Sequence, residues 1–487
     1  MTATLRPARP RAEHVAGFAR LVHAEWTKFR SVPGWVAGMV AAVAVTVLVS
    51  LLAASGSGSD ANEASELVTG PDGDLVSDAF HFVHGPMTGD GSVTVQVTDQ
   101  DASHDGAMAG LMIKDGTTPG SAYAAVMVTP AHGVRLRADY DTDIAGGDGG
   151  APRWLRLDRS GAEVTAYESA DGAEWTEIGT VRVRGLLETA EVGAFVASPP
   201  EMRVERQAGS TSVGETATIG HATFEELAVD AGDAADPERW TGDDIGQAME
   251  GGVTRAGGTL TVTGSGDIGP DPPDDDPVQI GLFGAVVGLM VVVAVAVLCA
   301  TSEYRRSLIR TTFAVTPRRG QVLAAKAVVI GSVTFVAGLV AAVAAFLLTR
   351  PLLRDAGFAP PAFPEPSLLD GPVLRAVVGT AAMLAIIAVF ALAAGIVTRH
   401  SAGAITGVVM LVVLPILVAS ALPPGTAEWI MRLTPAGALA IQRTKEPTAG
   451  LVEPWAMVGP WAGFGVLCLY ATVAVVLAAR SLRGRDA

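Results

Sequence analysis

Six uncharged apolar runs, each 20 residues or longer, decide most of what this chain can become: Trp35–Ala54, Val278–Ala300, Ala327–Leu348, Ala376–Val397, Gly403–Leu422 and Met457–Ala479. A helix rising 1.5 Å per residue needs about 20 apolar residues to cross the ~30 Å hydrocarbon core of a bilayer. Each charge at its centre costs about 2.5–3.5 kcal/mol on the insertion scale. Freedom from charge over six such lengths predicts six transmembrane helices, the fifth kinked at Pro415. With 49% hydrophobic and 17% charged residues, the chain is not a disordered one. The runs hold no interior acid or base, so nothing in them supports proton- or ion-driven transport.

Charge is unevenly placed. The net of −16 divides into −28 for residues 55–277, with 40 acidic and 12 basic residues, and +12 for the rest, with 10 acidic and 22 basic. Basic residues cluster before the first run (Arg6, Arg9, Arg11, Arg20, Lys28, Arg30), after the second (Arg305, Arg306, Arg310, Arg318, Arg319, Lys326), after the fourth (Arg399) and in the tail (Arg480, Arg483, Arg485). The positive-inside bias then places residues 1–34, 301–326 and 480–487 in the cytoplasm of a plasma-membrane protein, and residues 55–277 outside. Ala53-Ala54-Ser55 is a signal-cleavage pattern, but the 34 residues ahead of the first run are too long and too structured for a signal peptide.

Those leading residues contain an amphipathic helix. Val15, Phe18, Val22, Trp26 and Phe29 recur at steps of three and four, a single apolar stripe, with His23, Lys28 and Arg30 off it. Such a helix is expected to lie in the membrane interface, in contact with lipid.

The acidic block reads as β structure. Short alternating segments (Val93–Val97, Gly110–Lys114, Tyr123–Val128, Trp154–Leu157, Val164–Glu168, Val192–Val196, Phe224–Val229) are separated by Asp-Gly and Ser-Gly turns. This predicts a β-sandwich over about 80–230, a linker from Ser55 to Asp78 before it, and a small β-rich extension over Trp240–Gly269 after it. Asp139, Asp141 and Asp143 open like an EF-hand loop, but position six is Ile144 and position twelve is Gly150, so a solvated acidic turn is expected instead of a calcium site. Asp274-Asp275-Asp276, between prolines, reads as a stiff acidic linker into the second run. The two cysteines, Cys299 and Cys468, both lie in apolar runs, which excludes a disulfide framework and a cysteine-ligated zinc site. No other metal site is expected.

The segments "GLMIKDG" (Gly110–Gly116), "WLRLDRSGAEVTAYESADGAEWTEIG" (Trp154–Gly179) and "EVGAFVAS" (Glu191–Ser198) resemble the jelly-roll sandwiches related to concanavalin-type lectins and laminin G modules. The resemblance implies a fold and a glycan or cell-envelope ligand, not an enzyme. The paired carboxylates that glycosidases need are absent as a cluster.

Thr301–Lys326, "TSEYRRSLIRTTFAVTPRRGQVLAAK", is the most informative stretch. A polar helix continuing the second run to about Phe313, then Thr316 as N-cap and Pro317 at the first position of a new helix, builds an arginine-rich helix–turn–helix at the membrane surface. Charge alone would explain it as an anionic-lipid contact. The order of residues closely resembles the loop of type-2 ABC transporter permeases of the actinobacterial branch. "AEWTKFRS" (Ala24–Ser31) resembles their N-terminal helix, and "PPGTAEWIMRLTPAGALA" (Pro423–Ala440) their outer re-entrant segment, here about 423–456.

The resemblance implies an all-α six-helix permease with an inserted extracellular all-β jelly roll, two copies of which form an export pathway, as homo- or heterodimer. It implies a separate cytosolic ATPase, carrying ATP and Mg, docked on a coupling surface of Glu303, Tyr304, Arg305, Arg306, Arg310, Thr316, Pro317, Arg318 and Arg319, supported by Glu25, Trp26, Lys28 and Arg30. The partner is needed because none of the four lysines is followed by Ser or Thr, so this chain has no P-loop of its own. No cofactor of its own and no nucleic-acid partner are expected. The second reading is a membrane-anchored lectin-like or sensor protein, for which five further spans are excessive. An intrinsic membrane enzyme lacks support from any H-E-x-x-H, G-x-S-x-G or intramembrane Asp pair.

Overall fold

The computed structural model describes residues 11–58, 67–102, 104–207, 210–231, 236–273, 275–305, 319–360, 362–445 and 458–484. Its helices are α1 (Arg11–Ser31), α2 (Pro33–Gly56), α3 (Pro277–Leu282), α4 (Ala285–Arg305), α5 (Arg319–Asp355), α6 (Gly371–Thr398), α7 (Ser401–Ala419), α8 (Pro424–Leu433) and α9 (Pro460–Gly484), with a 3-10 helix at Pro435–Gln442. Among the described residues six helical stretches are long and apolar enough to cross a membrane, and they fall on the six expected runs, α3 and α4 together forming the second. The chain is a membrane protein with a separate β domain between its first and second apolar helices.

Local chemistry sets the helix ends. Pro33 opens α2 where its missing N–H costs nothing. The Asp276 carboxylate accepts the Val278 and Gln279 N–H groups at 3.1 Å and caps α3. Asp276 also accepts from the Thr444 hydroxyl at 2.9 Å, so within the acidic stretch expected as a linker this residue is a helix cap and an anchor; Asp274 lies outside the described residues. Arg399 ends α6 in the left-handed region, φ 56°. Helix α5 outruns the expected third span at both ends, taking in Lys326, Arg350 and Arg354. Helix formation, unlike insertion into hydrocarbon, is not stopped by these residues.

Helix α6 is the hub of the bundle. Its Ala381, Ala388, Ala391 and Ala393 are fully buried, and α4, α5 and α9 pack around it. Small residues bring α2 close to the second span: the Gly284 N–H donates to Ser50 Oγ at 3.1 Å, and Gly288 faces the Thr46 hydroxyl. The 3-10 segment is buried throughout, and Gln442 Nε2 donates to the Leu282 carbonyl and Thr380 Oγ1, both at 3.2 Å. Helix α8 and this segment occupy the stretch expected as re-entrant; residues 446–457 lie outside the described residues. Val40, Leu48, Val336, Val340 and Leu469 leave broad apolar flanks exposed, as lipid contact requires.

The β domain is a two-sheet sandwich. The front sheet runs, in spatial order, Thr241–Ile245, Phe80–Thr88, Thr189–Ala197, Met108–Lys114, Tyr123–Thr129, Gly133–Ala138, Thr142–Ala145. The back sheet runs Thr176–Arg182, Glu163–Ser169, Arg153–Ser160, Gly91–Ala102, Gly220–Asp230, Thr259–Gly264, Gly252–Ala256. Every pairing is antiparallel. Val95, Leu111, Val126, Leu155, Val192 and Phe224 fill the space between the sheets. The expected turns at Gly116, Gly161 and Gly172 all have positive φ.

Two expectations need correction. Residues Trp240–Gly269 are not an extension: they supply an edge strand to the front sheet and two strands to the back sheet. The linker expected up to Asp78 ends earlier, because Val76–Asp78 pairs with Ile268–Pro270 in a short ribbon. This ribbon covers the outer face of the front sheet, burying a second core of Phe80, Phe82, Met112, Tyr123, Met127 and Phe195 against Val76 and Ile268. That is why Met108–Lys114 and Tyr123–Thr129 are buried on both faces and read as unbroken apolar runs.

Candidate functional site

At the end of the bundle away from the β domain, three chain segments meet in one charge cluster. Glu25 of α1 and Glu303 near the end of α4 are buried, and Lys326 in the second turn of α5 is half-buried between them. Lys326 Nζ donates to Glu25 Oε2 at 2.7 Å and to Glu303 Oε1 at 2.5 Å. Lys28, one turn after Glu25, donates to Glu25 Oε1 at 2.8 Å and lies 3.4 Å from Glu303 Oε1. Two acids and two bases close a neutral ring. Burial pushes the Glu25 carboxyl up, but Lys326 and Lys28 outweigh it and hold the group below its ordinary value. Beside the ring, a cavity of about 20 Å³ between Phe29, Trp35, Cys299 and Leu392 has room for one water.

The cluster brings together three of the residues singled out from sequence, Glu25, Lys28 and Glu303. Trp26, on the apolar stripe expected to meet lipid, is 43% exposed and stacks on Phe29 at 6.5 Å. The side of the helix turned to the bundle runs through Val22, Glu25 and Phe29, and there Glu25 meets the Lys326 ammonium. Arg30 is exposed. Arg319 begins α5 and its guanidinium donates to the Leu482 carbonyl at 2.6 Å, tying α5 to α9. Tyr304 and Arg305 close α4; Arg306, Arg310, Thr316, Pro317 and Arg318 lie outside the described residues. Lys326 was not singled out as a site residue. Its signal was present: a lone lysine at the border of an apolar helix needs a buried counter-ion.

The β domain holds a second buried ion pair. Lys114 Nζ donates to Asp78 Oδ2 at 2.7 Å, to the Ser121 carbonyl at 3.0 Å and to the Tyr140 hydroxyl at 3.2 Å, with both charged side chains fully buried. Burial pushes the ammonium down, against the pull of Asp78. All three protons are engaged, so the pair pins the ribbon to the sheet and is closed to a substrate. At the edge of the sheet, His84 lies between Glu191 at 2.7 Å and Asp243 at 3.0 Å. Burial lowers its pKa, and the two carboxylates together raise it above the ordinary value.

The acidic turn is solvated as expected at Asp141 and Asp143, both exposed, but not at Asp139. Asp139 is buried and accepts the Tyr123 and Arg184 N–H groups at 3.2 and 2.8 Å, and Asp143 pairs with Arg135 at 2.8 Å. Among the described residues no group of three or more His, Cys, Asp or Glu is placed to hold a metal.

No protein-family model and no curated protein matches the chain. Solved structures similar to it include SCP-B, a member of the eqolisin family of peptidases, in complex with the tripeptide Ala-Ile-His (11% identity, 39% of this chain and 98% of that one, TM-score 0.25). Others are a functionally unknown protein from Saccharomyces cerevisiae (14%, 31% and 75%, 0.20) and a mutant of the GH43 protein BlXynB from Bacillus licheniformis (15%, 29% and 27%, 0.21). Likenesses this distant carry no inference about activity.

Proposed function

We propose that the chain is the membrane-spanning subunit of an ABC-type transporter, acting as an exporter in the plasma membrane. In this reading both termini are cytoplasmic and residues 55–277 are an extracellular jelly roll. A separate cytosolic ATPase, with its own ATP and Mg, docks on the loop 301–326, and a second permease copy completes the pathway. The observation that carries the reading is the ring of Glu25, Lys28, Glu303 and Lys326. It fuses the N-terminal helix to both ends from which the loop springs. A loop rooted in one rigid block transmits a push from a partner to α4 and α5 together, whereas a loop on two independent helices would flex and dissipate it. The arginine-rich order of Thr301–Lys326, with its resemblance to permease coupling loops, supports the same assignment.

The outer domain supports a role in meeting cargo, glycan or envelope material through the back sheet. The front sheet's outer face is filled by the chain's own ribbon, while the back sheet offers a polar outer face on which Arg156 lies over the Tyr167 ring.

Charge reversal at Arg305 and Arg306 tests the proposal. The variant is expected to insert normally but to lose the ATP hydrolysis that the wild-type chain stimulates in its partner ATPase. Unchanged stimulation would overturn the assignment of the loop.

A further inference from the structure

At the β-domain end of the bundle, the connection after α5 folds back over the helix and encloses a cavity of about 340 Å³. Its floor is apolar, from Val278, Phe346, Leu347 and Phe363. Leu347 is 48% exposed, so the floor continues onto the apolar flank of the bundle. The rim carries Arg350 and Arg354 with one acid, Glu365. Arg354 donates to Glu365 at 2.7 Å, whereas Arg350 approaches it only to 3.6 Å and makes no hydrogen bond among the described residues. The Arg350 guanidinium instead lies 5.8 Å from the centroid of the Phe346 ring. Pro351 also lines the cavity and has no N–H to offer the Leu347 carbonyl, which loses its usual helical partner there.

A greasy floor reached from the apolar flank, under an underused guanidinium and a net positive rim, is complementary to one chemistry. We propose that this cavity binds a single-chain anionic amphiphile, the chain lying on Phe346 and Leu347 and a carboxylate or phosphate head accepting from Arg350 and Arg354. A volume near the lower limit for ligand pockets, about 300 Å³, suits one acyl chain and not a two-chain lipid. Charge-assisted hydrogen bonds from two arginines fix the head, and Glu365 competes with it for both. The site does not depend on the transport reading.

The test is photolabelling of the full chain in nanodiscs of zwitterionic lipid, with a diazirine-bearing dodecanoate and its neutral carboxamide. Labelling of the peptide 346–366 is read by mass spectrometry. The carboxylate is expected to label at least about tenfold more strongly than the carboxamide, a preference of the size one charge-assisted hydrogen bond gives. R350Q/R354Q is expected to abolish that preference, and R350K/R354K to retain most of it. E365Q is expected to strengthen carboxylate labelling about threefold or more, a gain that misfolding would not produce. Equal labelling by the two probes, a preference that survives R350Q/R354Q, or competition by acetate as effective as by unlabelled dodecanoate would each overturn the proposal.

Discussion

Replacing Lys326 by Met removes the less exposed of the two cations that touch both buried acids. Lys326 is 14% exposed at its side chain and the two glutamates 9% each, while Lys28, the remaining cation, is 42% exposed. Removing one partner of a fully buried pair costs about 3–5 kcal/mol. Lys28 stays within 3.4 Å of both acids and keeps part of the attraction, so a cost of about 2–3 kcal/mol is expected here. Because the ring is the polar tie between α1 and the rest, most of this should appear as local opening of that helix. Hydrogen exchange over residues 17–31 of the full chain in nanodiscs should then accelerate roughly 30- to 150-fold. K326M/E303Q, which restores neutrality with Glu25 and Lys28, should recover most of the protection, a coupling that a double-mutant cycle reads directly. Exchange in K326M within about twofold of wild type, or no recovery in the double variant, would refute the claim that this ring roots the loop.

Other consequences follow from the same geometry. Glu25 has a folded pKa below its ordinary 4.5, so the protection it gives α1 is complete above that value and is lost as pH falls through the folded pKa; E25Q should flatten this acid limb in hydrogen exchange. His84 is shifted the other way, so its hold on the edge strand Thr241–Ile245 is complete below 6.5 and is lost as pH rises through its folded pKa, and exchange in that strand should quicken with pH beyond the intrinsic rate in wild type but not in H84Q. K114M should leave Asp78 buried without its counter-ion and destabilise the β domain by about 3–5 kcal/mol, read as protease sensitivity in urea, whereas K114M/D78L should recover most of it. G284V places a branched side chain against the Thr46 carbonyl and Ser50, and overpacking of about 1–3 kcal/mol should lower the thermal midpoint of the detergent-solubilised chain.

What the sequence revealed followed from where the determining interactions lie along the chain. The six spans were legible because each is fixed by its own uncharged length. The strands Gly110–Lys114, Trp154–Leu157 and Val192–Val196 were legible from local pattern and Asp-Gly turns. The ribbon was not, since Val76–Asp78 and Ile268–Pro270 are three residues each and gain their meaning only by pairing across the whole domain. Thr241–Ile245, rich in Gly and Asp, carries no strand signal and is held as an edge by the histidines of its neighbour. In the site, Glu25 and Lys28 were visible as an i, i+3 pair, but Lys326 meets Glu25 across 301 positions, and no local period reports such a contact.

Affinity purification of the full chain from its native membrane, with nucleotide hydrolysis measured in the eluate, tests the transport account most directly. The account predicts that a P-loop ATPase co-elutes in stoichiometric amount with wild type and is lost with R305E/R306E; a monodisperse chain that brings no nucleotide hydrolase with it would contradict it.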